Sequence, residues 1–156
     1  MNFNYNTEVT ESNCSGMNNY HEPSEIISDS QIAELTKKFE ESWSLESAHP
    51  ESQNQWSNEN KSLGQCAVTA LIIYDMFGGE IAKNKQFNHL WNILPDGSQQ
   101  DFSRNQFKGD NVDFTIDEIT TKDKELNHEK ASDANTVERY ELLKQKFSYY
   151  WGIAKW

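Results

Sequence analysis

Apolar residues are spread unevenly along this chain. Residues 1–28 are dominated by Asn, Ser and Glu with scattered aromatics, and they keep neither a strand nor a helix period. That pattern predicts a disordered or loosely attached acidic extension with little surface to bury. A helical stripe follows, in which Ile32, Leu35, Phe39 and Trp43 recur at spacings of three, four and four. Asp29 or Ser30 supplies an N-cap of the preferred chemistry. Residues 44–62 are polar and contain Pro50 and Trp56, so they read as a connection whose Trp packs onto the core.

The densest apolar stretch is 62–79, Ser62-Leu63-Gly64-Gln65-Cys66-Ala67-Val68-Thr69-Ala70-Leu71-Ile72-Ile73-Tyr74-Asp75-Met76-Phe77-Gly78-Gly79. Its residues are apolar nearly all round the helical wheel, which predicts a buried central helix. Ser62 and Gln65 have the spacing of a capping box, and Gly78-Gly79 suit a helix end in the left-handed conformation.

Strand patterns come next. Residues 80–83 fit a short strand, and 88–94 alternate partially before the turn signal Pro95-Asp96-Gly97. Residues 99–107 can return as the partner strand of a hairpin. Residues 108–135 are charged and irregular apart from a strand-like piece at 112–116. Asp133, Asn135 or Thr136 can cap a last helix through Val137, Tyr140, Leu143 and Phe147, and the end of the chain is strongly aromatic.

At 156 residues the chain fits one domain, expected over 29–156, with enough large side chains for a real core. A net charge of −11 opposes a sequence-independent grip on nucleic-acid phosphates or an anionic membrane surface. No run approaches the roughly 20 apolar residues of a membrane span, and the first residues lack the features of a signal peptide. Two cysteines, Cys14 and Cys66, make no disulfide framework in a chain of this length. The expectation is a cytoplasmic protein with free thiols, no resident cofactor or metal, and neither nucleic acid nor membrane as partner.

Cys66 is the residue best placed for chemistry. At the start of a helix, unpaired N–H groups and the positive end of the dipole favour thiolate over thiol. His89 heads a strand without a neighbouring His, and an imidazole near such a thiol forms a nucleophile–base pair. Asp101 lies across the hairpin: if Trp91 pairs with Asp101, that carboxylate is the same-face diagonal neighbour of His89. A one-residue slip would turn Asp101 to the other face. Asp96, better explained by turn chemistry, and Asn92, on the opposite face of the strand, are the alternatives for the orienting group. Gln65, beside the thiol, is the candidate side chain for an oxyanion site, together with nearby backbone N–H groups. Cys66, His89 and Asp101 also make a three-ligand set for zinc, but no paired ligand motif supports it.

The order Cys, His at a strand start, Asp on the next strand resembles that of papain-like and transglutaminase-like folds. The string His89-Leu90-Trp91-Asn92 followed by Gly97 and Asp101 is similar to the His-x-Trp … Asp hairpin of transglutaminase-like domains. The strings Trp43-Ser44, Trp56-Ser57, Gly64-Gln65-Cys66-Ala67-Val68-Thr69-Ala70-Leu71, Phe77-Gly78-Gly79-Glu80-Ile81, Leu94-Pro95-Asp96-Gly97, Asp101-x-x-Arg104-x-Gln106-Phe107 and Arg139-Tyr140-Glu141-Leu142-Leu143-Lys144 resemble the YunG family of small bacterial proteins. The likeness covers roughly residues 40–147 and brings no settled activity with it. The acidic extension, the polar stretch around 117–135 and the aromatic end depart from the family pattern.

The expectation is therefore an α+β domain, papain-like or transglutaminase-like, with a central helix starting at Cys66 packed on a small antiparallel sheet. Cys66, His89 and Asp101 would run acyl transfer on a protein or peptide substrate, by amide hydrolysis, deamidation or transamidation. The alternative is a binding or regulatory module on the same scaffold. If residues 1–28 bury little surface, a chain beginning at Ser28 will keep its thermal midpoint within about 3 °C. A drop of ten degrees or more in a calorimetric scan would show that the extension packs on the domain.

Overall fold

The computed structural model describes residues 27–109 and 111–151. The expected disorder of residues 1–28 therefore concerns positions almost wholly outside the described residues. Within them the chain is α+β, with five α-helices and one four-stranded antiparallel sheet. No helix among these residues is long and apolar enough to cross a membrane.

Helix α1 (Asp29–Ser42) is capped one residue earlier than the expected Asp29 or Ser30. Ser28 is the N-cap because only Ser28 stands three residues before Gln31, so the two can exchange the reciprocal bonds of a capping box. The stripe buries Leu35 and Phe39, and Trp43 follows at the helix end. Phe39 lies 4.5 Å from Phe147, 5.5 Å from Phe102 and 5.7 Å from Trp43, ring centre to ring centre, so three distant segments share one aromatic contact.

The polar connection contains two short 3-10 turns, Leu45–Ser47 and Pro50–Ser52. Trp56 is half-buried, and its indole N–H donates to the Lys61 carbonyl at 2.9 Å, which closes the loop. Helix α2 (Cys66–Phe77) then runs through the core with Val68 to Ile73 buried without interruption. The capping box expected from Ser62 and Gln65 does not form. Gly64 adopts φ +73° and turns the chain just ahead of the helix. Gln65 N–H instead meets the Ser62 carbonyl, while the Ser62 hydroxyl bonds Asn60. At the other end Gly78, also at positive φ, donates its N–H to the Tyr74 carbonyl and ends the helix as expected.

Four strands follow: β1 (Glu80–Asn84), β2 (His89–Ile93), β3 (Gln99–Gln100) and β4 (Glu118–Thr120), in the spatial order β3-β2-β1-β4. α2 packs against β2 and β1 on one side and against α5 (Thr136–Trp151) on another. Because β1 reverses the chain and β2 reverses it again, α2 and β2 run the same way. Cys66 therefore lies beside Asn88, and Ala70 lies beside Asn92, whose amide donates to its carbonyl at 3.0 Å. β2 is buried over four of its five residues, which is why its sequence alternates only partially.

The returning strand is shorter than expected. Asn92 faces Gln100 and Ile93 faces Gln99, a register that sets Trp91 opposite Asp101 if continued. Pairing stops at Gln100 because Phe102 turns into the core against Phe39, and the chain coils into the 3-10 turn Arg104–Phe107. The strand-like piece at 112–116 is not a strand. Phe114 turns instead towards the rings of Phe87 and Phe107, and β4 pairs with β1 in its place. The stretch read as irregular also holds two short helices, α3 (Lys122–Asn127) and α4 (Glu129–Asp133), capped by Thr121 and His128. Lys122 of α3 bonds both Asp75 of α2 and Tyr140 of α5, which fastens these helices together.

Gly64 is irreplaceable for two separate reasons. Its φ is in the left-handed region, and a Cβ there would sit 2.8 Å from both His49 N and Ser52 Cβ. Gly97 has a similar φ of +84° but opens to free space. Gly64→Ala is thus expected to cost about 2–4 kcal/mol, and Gly97→Ala only about 1–2 kcal/mol. Urea unfolding of the two variants side by side will check this; equal losses would mean that the steric contact at Gly64 relaxes freely.

Candidate active site

Cys66 is the first residue of α2 and is half-buried. The N–H groups of a helix's first turn have no intrahelical acceptor, so the thiol stands at a cluster of free donors. Its sulfur lies 3.8 Å from the carbonyl oxygen of Asn88, a non-glycine residue at φ +48° in the β1–β2 turn.

His89, the next residue, is fully buried. One ring nitrogen, Nε2, is 2.6 Å from Asp101 Oδ2, and the Cys66 thiol is near enough for ring and thiol to shift each other's titration. The other carboxylate oxygen of Asp101 accepts the hydroxyl of buried Ser103 at 3.3 Å. Nδ1 is 3.2 Å from the amide nitrogen of Gln106, whose oxygen accepts the N–H of Gly64 at 3.4 Å. The imidazole stacks on Trp91 at 5.6 Å and is covered by Phe107 at 4.9 Å and Phe114 at 4.7 Å.

Charge is shared accordingly. Burial pushes the Cys66 thiol up, but the hydrogen bond and charge of His89, with help from the Leu90 backbone, bring it below its ordinary value. Burial alone would make His89 harder to protonate. Hydrogen bonds to Asp101 and Cys66, and attraction to both, outweigh that and raise it to about 9. Each partner thus favours the charged form of the other.

The structure brings Cys66, His89 and Asp101 together. Gln65 lies elsewhere: it is fully buried, its amide nitrogen donates to the Ser44 carbonyl at 2.9 Å, and its Oε1 has no hydrogen-bond partner. The turn at Gly64 directs that side chain to the 44–47 segment. Asp96 accepts from the Ser98 N–H and hydroxyl at 2.9 and 2.6 Å, which is turn chemistry. Asn92 is engaged with Ala70 on the α2 side of the strand. Among the described residues no group of three or more His, Cys, Asp or Glu is arranged to hold a metal ion.

Sequence reasoning did not reach Gln106, Ser103, Phe107 or Phe114 as parts of the site. Gln106 and Phe107 stand in a string similar to a family pattern, but nothing in their spacing points to His89. Arg139 ties the last helix to the core. Its buried guanidinium donates to the carbonyls of Ala134, Ser47 and Gly64 at 2.7, 3.2 and 3.4 Å. A cavity of about 150 Å³ adjoins the site, lined by Trp91, Gln99, Asp101, Arg104, Asp113 and Phe114. Arg104 lies over the Phe114 ring at 4.3 Å and helps to hold the covering segment.

A family model described as YunG protein matches residues 31–152. A protein of Bacillus subtilis (strain 168) described as uncharacterized protein YunG is 39% identical over 72 residues, 45% of this chain. The matched region spans 57% of the length of that relative. No solved structure matches the chain. The chain belongs to the YunG family.

The geometry predicts how the thiol titrates. Cys66 should be alkylated by iodoacetamide with a pH midpoint below the usual thiol value of about 8.5. His89→Ala should move that midpoint up, because burial then acts on the thiol without its cation. Asp101→Asn should move it in the same direction by less, since the ring remains beside the sulfur. A midpoint unchanged in His89→Ala would sink the pairing, as would modification confined to Cys14 in peptide maps of the folded protein.

Proposed function

We propose that this YunG-family chain is a cysteine-dependent acyl-transfer enzyme working through Cys66, His89 and Asp101. The observation that carries the reading is the buried His89, hydrogen-bonded through Nε2 to Asp101 and close enough to Cys66 that thiol and ring shift each other's titration. A helix beginning at the Cys, packed on an antiparallel sheet that carries the His, with the acid directly after β3, supports a papain-like or transglutaminase-like relationship. The likeness is one of order and layout.

In the proposed reaction the Cys66 thiolate attacks the carbonyl carbon of an amide or ester, and the developing oxyanion is met by the unpaired N–H groups of the first turn of α2. Gln65 supplies no part of that site in this reading, since its side chain is fully buried and its amide nitrogen donates to the Ser44 carbonyl. As the tetrahedral intermediate collapses, the carbon–nitrogen bond breaks and the leaving amine takes the proton from His89. His89 then draws a proton from the incoming water or amine, which attacks the thioester and releases Cys66. Water as acceptor gives hydrolysis, or deamidation of a Gln-type side chain; an amine gives transamidation. Asp101, held by Ser103, keeps the ring oriented and its tautomer fixed. A protein or peptide is the proposed acyl donor. The chain's net charge of −11 favours neutral or basic segments over acidic ones.

The single domain over 29–156 is part of the same proposal, with its catalytic pair between the central helix and the sheet. A second reading, a binding module without turnover, is favoured by one observation: His89 is 0% exposed beneath Phe107 and Phe114.

An activated ester separates the two. With p-nitrophenyl acetate, an enzyme of this class should release a stoichiometric burst of nitrophenolate and carry an acetyl group on the Cys66 peptide. Both should vanish in Cys66→Ala, and deacylation should slow by at least about tenfold in His89→Ala. A Cys66 that reacts with iodoacetamide yet never acquires an acetyl group would favour the binding module and end the enzyme reading.

A further inference from the structure

The hydrogen bonds around His89 close into a ring with only one consistent polarity. The Gly64 N–H can only donate, so the Gln106 atom facing it at 3.4 Å is the amide oxygen. The amide nitrogen therefore faces the other way, 3.2 Å from His89 Nδ1 and 3.4 Å from Ser103 Oγ. The single hydrogen of Ser103 goes to Asp101 Oδ1 at 3.3 Å, so its oxygen is free to accept from Gln106. Asp101 accepts from His89 Nε2 at 2.6 Å, which puts the neutral ring's proton on Nε2. Nδ1 is then a bare lone pair receiving the Gln106 N–H. The Cys66 sulfur has its own acceptor in the Asn88 carbonyl at 3.8 Å, a contact available to S–H and not to thiolate.

This ring is complete only while Nδ1 is unprotonated. When the Cys66 proton moves to Nδ1, two N–H groups, those of imidazolium and Gln106, face each other. The Asn88 carbonyl loses its donor at the same moment. We propose that Gln106 is a positioning residue that competes with the Cys66 thiol for His89 Nδ1 and so sets the balance between the neutral thiol–imidazole pair and the thiolate–imidazolium pair. The inference rests on the reading of Cys66 and His89 as a working pair. It assigns the control of that pair to a side chain on the Arg104–Phe107 turn, a segment that also carries Phe107 onto the ring. Proton transfer from Sγ to Nδ1 breaks the S–H bond and forms the N–H bond with no other reactant. Displacing the amide, as an acyl donor entering at the sulfur would do, removes the competing donor when the nucleophile is needed. Asp101 pulls the other way through Nε2, so the site is held between two opposed neighbours of one ring.

The groups facing the ring and its partners are Cys66 from α2, Asp101 and Ser103 after β3, Gln106 from the 3-10 turn, the Asn88 carbonyl from the β1–β2 turn and, acting on the thiol by charge, the buried guanidinium of Arg139 from α5. The closing experiment uses the full chain with Cys14→Ser, so that a single thiol is observed, and needs no acyl donor. Thiolate absorbance and iodoacetamide rates would be followed against pH for Gln106, Gln106→Met and Gln106→Ala. Both variants should ionise at a lower pH by about one unit, so that the rate near pH 6 rises by up to about tenfold. An unchanged or upward midpoint in the two folded variants would overturn the proposal; an upward one would mean that the amide supports the thiolate. Nitrogen-15 spectra of the unaltered protein give an arm independent of variant folding: above its titration the neutral His89 ring should carry its proton on Nε2. A proton on Nδ1 would overturn the ring. Because these readouts follow the thiol and the imidazole alone, failure to form an acyl-enzyme would refute the proposed activity and leave this test standing.

Discussion

The structure depends on how Gly64 is held. Its peptide groups are used in three directions: the N–H goes to Gln106, and the carbonyl accepts both the His49 N–H at 2.8 Å and the Arg139 guanidinium. The polar loop, the last helix and the segment beyond the hairpin therefore all converge two residues before the thiol. Only a glycine can serve there, because the left-handed turn brings the backbone against His49 and Ser52. The helix start at Cys66 is aimed by this turn, and the helix behind it is immobilised by six consecutive buried residues.

A second constraint is the cost of burying His89. An imidazole taken fully out of water needs partners on both nitrogens, and the fold supplies them from opposite sides. Asp101 meets Nε2, while Gln106 meets Nδ1. The aromatic rings of Trp91, Phe107 and Phe114 exclude water from the faces, which strengthens each of these bonds. Such an arrangement makes the proton's position a property of the whole group of residues.

Distant polar ties keep this geometry in register. The ammonium of Lys122 joins Asp75 near the end of α2 to Tyr140 of α5. Lys83 of β1 meets buried Glu125 of α3 at 3.3 Å, and Glu125 also accepts the Thr120 hydroxyl at 2.8 Å. The segment read from sequence as charged and irregular is thus fastened to both the sheet and the central helix. Its charge pattern resembles a solvent-exposed loop because one face of each short helix is exposed, while the few buried polar groups are satisfied only by residues far away in sequence.

The central helix, its glycine end, the amphipathic first helix, the hairpin turn and the order Cys66, His89, Asp101 were legible in the sequence. Each rests on local periodicity, on turn chemistry or on a register counted from a tight turn. The same local logic misjudged Ser62 and Gln65, because Gly64 between them takes a conformation that the capping pattern does not foresee. It extended the return strand past Gln100 because it had no knowledge of Phe39, 63 positions before Phe102, waiting in the core. It also passed over Gln106, whose importance comes wholly from the two backbone and ring atoms that it bridges. The sequence by itself determined the order in which a thiol, an imidazole and a carboxylate follow one another and which segments form the core. Only the tertiary structure decided which polar groups share a proton, because that choice depends on directional hydrogen bonds between residues that are neighbours in space and not along the chain.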